Sequence, residues 1–124
     1  MRKQYYFQAS EHGLLAWDVD RLVELTRSLP PKRVALSAIR ELDETWFGDG
    51  ESATWRSMID HVRLMDEADL AYPIILSAAG RVMDGMHRVA KAVRFGHDSI
   101  TAVQFEVDPA PDYVGFGPDD LPYR

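Results

Sequence analysis

The 124-residue chain has the length of one domain and carries 14 Lys and Arg against 20 Asp and Glu, a formal net charge of −6. That excess of acid disfavours diffuse attraction to nucleic acid or to an anionic membrane, so any anion has to be captured locally. The sequence has no cysteine, which excludes disulfides, thiol catalysis and Cys-based zinc or iron–sulfur sites.

No stretch approaches the ~20 apolar residues of a membrane helix, and Gln4 and Gln8 interrupt the N-terminal segment where a signal peptide would be apolar. A soluble, cytoplasmic protein is the expectation. With 46% hydrophobic and 10% aromatic residues, the chain has the composition of a folded domain.

In chain order, "KQYYFQA" reads as a strand or extended arm that turns at "SEHG". In "AWDVDRLVELTRSLPP", Asp18 is a cap for a helix carrying Val19, Leu22, Val23 and Leu25, which Pro30 and Pro31 end. "RVALSAI" alternates as a short strand and leads into an acidic loop, "RELDETWFGDGES". A second helix starts near Thr54, capped by Ser52 or Thr54, with Met58, Ile59, Val62, Met65 and Ala68 on one stripe. "YPIIL" and "RVM" flank "SAAG" as two short strands joined at Gly80.

A third helix follows Gly85, with Val89, Ala92, Val93 and Phe95 turned inward and Gly96 ending it. "SITAVQFEV" is a last strand. These elements predict a small α+β domain, a mixed sheet with packed helices over residues 1–108, followed by a Pro- and Gly-rich tail, 109–124. The tail is expected to dock on the domain, either as a cover for the site or along a sheet edge. Core packing is the expected role of Trp17, Trp46 and Trp55; Trp46 could instead stack on a base or ribose.

The chemistry concentrates in "RVMDGMHRVAKAVRFG", residues 81–96. A helix starting after Gly85 leaves the N–H groups of its first turn without partners, with the positive end of the helix dipole behind them. Gly85 permits close approach to the backbone, and His87 and Arg88 add donors suited to phosphate oxygens. Lys91 and Arg94 continue a basic ridge, which by spacing alone reads first as the solvated face of an amphipathic helix capped by Asp84. His12, His61 and His97 are expected to be structural or on the surface, and no metal site is expected.

The run "YPIILSAAGRVMDGMHRVAKAVRFGHDSITAVQF" resembles the core of the ParB/sulfiredoxin superfamily: a strand pair, Asp-Gly-x-His-Arg opening a helix, then Gly and a closing strand. Asp84, Gly85, His87, Arg88 and Ala92 carry the resemblance over residues 72–105, and it implies that Gly85, Met86, His87, Arg88 and Lys91 bind nucleotide phosphates. The order Asp-Gly-x-His-Arg is most similar to the free-serine kinase branch. That similarity implies ADP or ATP, with Mg²⁺, and phosphoryl transfer to a small hydroxylated metabolite.

The branch places a catalytic glutamate where "RELDETW" falls, which makes Glu44 the candidate base, with Asp43 and Glu41 as rivals and Asp84 as a second carboxylate that orients the acceptor or a metal. Met86 stands where sulfiredoxins have their cysteine, which excludes sulfinic-acid reduction. The kinase branch has a second histidine at that position. ParB partition proteins read Glu-Arg-Arg after the glycine and add a helix-turn-helix domain. The alternative expectation is a non-catalytic nucleotide-responsive or protein-interaction module. DNA binding or nuclease activity ranks last on charge.

Overall fold

The computed structural model describes residues 3–45 and 54–123, so Trp46 lies outside the described residues. Strands β1 (Tyr5–Ser10) and β2 (Gly13–Asp18) form an antiparallel hairpin, and helix α1 (Val19–Thr26) follows directly. The side chain of Asp18 accepts from the Asp20 N–H, as the capping pattern predicts. Strand β2 was not apparent in the sequence: "GLLAWD" gains its strand identity from pairing with β1, because its four consecutive apolar residues do not alternate with polar ones.

Next come β3 (Lys32–Ala35), 3₁₀ turns at Leu36–Ala38 and Arg40–Asp43, and α2 (Trp55–Glu67), whose cap is Thr54. Thus "RVALSAI" is half strand and half 3₁₀ turn. Strands β4 (Ile74–Leu76) and β5 (Val82–Asp84), helix α3 (Met86–Arg94), strand β6 (Ser99–Gln104), the two-residue strand β7 (Tyr113–Val114) and a 3₁₀ turn at Pro118–Asp120 complete the order. The result is an α+β fold.

One sheet has the order β3-β6-β4-β5, with β4 parallel to β6 and the other pairs antiparallel. Alternation along its short strands feeds two cores. Ile74, Leu76, Val82, Ile100 and Ala102 face α3, where they meet Val89 and Ala92 together with Leu36 and Ile39. Ile75, Met83 and Val103 point the other way, against Trp17 of β2 and Leu22 of α1. The second sheet, β1-β2-β7, carries the tail: the two residues of β7 pair with β2, Trp17 Nε1 donates to the Pro109 carbonyl at 2.8 Å, and Tyr5 donates its hydroxyl to the Pro122 carbonyl.

Several side chains depart from the amphipathic reading. Val93, Phe95, Met58 and Ile59 are exposed: α3 turns Val89 and Ala92 to the sheet, α2 packs chiefly on α3, and these four side chains lie outside both contacts. Trp55, 81% exposed, has no core role, whereas Trp17 is buried as expected. Strand β6 ends at Gln104, and Val107 is exposed beyond it.

Gly85 turns the chain from β5 into α3 at φ +111°, and a Cβ there would sit 2.7 Å from Ile74 Cγ2. Gly96 also has positive φ, +78°, with no atom within 4 Å of its would-be Cβ. Gly85→Ala should therefore destabilise by roughly 2–5 kcal/mol, adding overpacking to left-handed strain, and Gly96→Ala by only ~1–2 kcal/mol. Denaturant titration of both variants checks this; equal losses would refute the packing argument.

Candidate active site

Helix α3 begins at a corner with no side-chain cap. Asp84 does not cap it, contrary to the solvated-face reading, because Gly85 occupies the cap position and the Asp84 carboxylate turns to Arg88. The first bond that closes the helix runs from the Val89 N–H to the Gly85 carbonyl, at 3.0 Å. The N–H groups of Met86, His87 and Arg88 precede that bond and have no acceptor within the helix.

Beside this corner lies a cleft of about 790 Å³, within the range of small-molecule sites. Asp84, Gly85, Met86, His87 and Arg88 all line it, so five of the seven residues picked from the sequence come together. Its apolar walls include Val23 and Leu29 from α1 and the segment after it, Tyr72 from the loop before β4, and Ile75 and Val103 from the sheet. Met86 also packs on the core, which anchors the first turn of the helix.

Arg88 is mostly buried and engages three acceptors. It donates to the carbonyls of Tyr72 and Pro73 at 3.0 and 2.9 Å and pairs with the Asp84 carboxylate at 2.8 Å. Its charge thus latches the 72–73 loop and neutralises Asp84, shaping one wall of the cleft. Lys91 is not among the cleft-lining residues: its ammonium donates to the Asp66 and Ala68 carbonyls at 3.0 and 2.7 Å, at the C-terminal end of α2. Arg94 pairs with Asp66. The expected basic ridge is therefore a clamp that holds α2 on α3.

Glu44 is not among the cleft-lining residues either. Both its oxygens accept from Arg81, at 2.8 and 2.6 Å, and that guanidinium holds the carboxyl below the usual range. Its rival Glu41 accepts from the Val82 N–H at 2.6 Å, pinning the 3₁₀ turn to β5. Asp43 closes that same turn. Among the described residues no group of three or more His, Asp or Glu could hold a metal ion.

One residue missed in the sequence is His61. Its Nδ1 lies 3.1 Å from His87 Nε2, with the rings inclined by 20°, so α2 reaches the cleft's rim through an imidazole pair. Residues 61, 65 and 68 share one helical face, and Met65 and Ala68 already marked that face as the one that packs. Burial first, and the neighbouring His61 second, push the His87 pKa down. The tail does not cover the cleft; no described residue beyond Val103 lines it, and the tail covers the edge of β2 instead.

Comparison of the chain with protein-family models, curated proteins and solved structures gives no significant match.

Because the folded-state pKa of His87 lies below its unfolded value, the unfolded chain takes up its proton first as pH falls. Stability should therefore decline as pH drops below about 6.5 and level off beneath the folded-state pKa. Thermal melts across pH 5–8 should show a smaller decline in His87→Asn than in the native chain; an identical decline would refute the assignment.

Proposed function

We propose that the cleft at the start of α3 binds a nucleotide or another phosphorylated small molecule. The observation that carries this reading is the convergence of Asp84–Arg88 on one cleft that is otherwise largely apolar. The N–H groups of Met86–Arg88 suit a phosphate, and walls such as Leu29, Tyr72 and Ile75 suit a base. The strand pair, the Asp-Gly-x-His-Arg corner, the helix and the closing strand support kinship with the ParB/sulfiredoxin superfamily.

Of the two sequence expectations, the pairing of Glu44 with Arg81 favours a nucleotide-binding module over phosphoryl transfer. Transfer would need a carboxylate at the acceptor, and in the cleft that task falls to Asp84 or Asp69, with Asp84 already bridged to Arg88. Mg²⁺ would arrive with the nucleotide, held by phosphates and one or two of these carboxylates.

Calorimetric titration with Mg²⁺ and ADP, ATP, CTP or GTP tests the reading. At least one nucleotide should bind, and Arg88→Ala should weaken it about tenfold or more by releasing the 72–73 loop; no binding, or binding unchanged in Arg88→Ala, would sink it. Coupled turnover assays on amino acids and sugars then separate the two expectations: turnover lost in Glu44→Ala would restore the catalytic role implied by resemblance.

A further inference from the structure

Helix α2 leaves Ile59 64% exposed one turn after the exposed Trp55. With the half-buried Val62 these residues stand at i, i+4 and i+7, which makes one apolar seam along the helix. Helix α3 meets α2 elsewhere, through His61 and through the carbonyls of Asp66 and Ala68. His61 lies roughly 100–160° round the helix from each seam residue, so the contact with α3 does not use the seam. An exposed tryptophan flanked by aliphatic side chains is the kind of group that anchors an interface.

A ridge of alternating charge runs beside the seam: Arg56, Asp60, Arg63 and Glu67, all exposed and at helical spacing. Asp60 and Arg63 approach each other only to 3.9 Å, and among the described residues Arg56 and Glu67 have no ion-pair partner. The order of these charges is its own complement when reversed. Two copies of α2 laid antiparallel about a two-fold axis between His61 and Val62 set Arg56 against the partner's Glu67 and Asp60 against the partner's Arg63, each twice by symmetry. Val62 then lies beside its own equivalent at the axis, with Ile59 and Trp55 further out along the same seam. A parallel arrangement would instead oppose like charges at all four positions.

We infer that this face of α2 docks a second copy of the chain, antiparallel, through the Trp55–Ile59–Val62 seam and the charged ridge beside it. Self-complementary charge is what singles out a second copy as the occupant, since an unrelated partner would not require the ridge to match its own reverse. Asp66, which ends the seam, is already paired with Arg94 at 2.6 Å and adds no unpaired charge to it. Three apolar side chains per copy cover less than the ~800 Å² per partner of a stable interface, so the dimer is transient and depends on concentration. The inference is independent of the cleft, which none of the three seam residues lines.

Sedimentation equilibrium of the full chain, from micromolar to millimolar concentration, reads the association. The expected result is a monomer–dimer equilibrium that is weakened about tenfold or more in Trp55→Ser. Arg56→Glu and Glu67→Arg should each weaken it as well, because either change opposes two like pairs across the axis. Arg56→Glu and Glu67→Arg together in one chain rebuild both pairs and should restore the dimer, and an equal mixture of the two single variants should form a heterodimer. All three positions are exposed, and unchanged denaturant midpoints confirm that the variants fold.

A chain that stays monomeric across the range would overturn the proposal and leave the face to a partner of another kind. Dimerisation undiminished in Trp55→Ser would place the interface elsewhere and overturn it equally. Single charge reversals without effect, or a double variant that fails to recover, would overturn the antiparallel pairing on which the choice of a second copy rests.

Discussion

The structure depends on the close approach of Gly85 to Ile74. Strand β4 is only three residues long, yet Ile74, Ile75 and Leu76 are all buried, because the strand is covered on both faces. Its one face receives α3 and its other receives α1 and the β1–β2 hairpin. For α3 to lie on that face immediately after β5, the chain has to turn where Ile74 leaves no room for a Cβ, and only glycine meets both the steric and the dihedral demand. The corner that would bind a ligand is thus first a packing solution.

Function, where it arises, uses what the packing leaves over. A helix that starts on a left-handed glycine has no side-chain cap, so three N–H groups remain at the mouth of a cleft. The surrounding charges are arranged to build that cleft. Arg88 ties the loop before β4 to Asp84, Lys91 and Arg94 tie α2 to α3, and Arg81 ties the acidic turn to β5. Each cation meets backbone carbonyls or a carboxylate at short range, which is how partly buried charge is tolerated in a small domain.

Much of this was legible residue by residue. The Asp18 and Thr54 caps, the Gly80 hairpin, the Gly96 terminus and the run from Asp84 to Arg88 obey local rules, and local rules are written in adjacent residues. Strand β2 was not legible, because its identity comes from pairing with β1. Nor were the exposed faces of α2 and α3: periodicity says that a stripe exists but does not say whether another layer lies over it.

By itself the sequence determined an α+β domain, free of thiol chemistry and acidic overall, with one glycine corner where donors cluster. Tertiary structure decided how those donors are spent. It turned Lys91 and Arg94 to the end of α2, set Glu44 on Arg81 rather than in the cleft, and brought His61 from 26 residues away to His87. The reason is physical: composition and periodicity fix which groups are available and which way an element faces. Partners for charges and lone pairs are chosen among residues that only the packed chain brings within 3–4 Å.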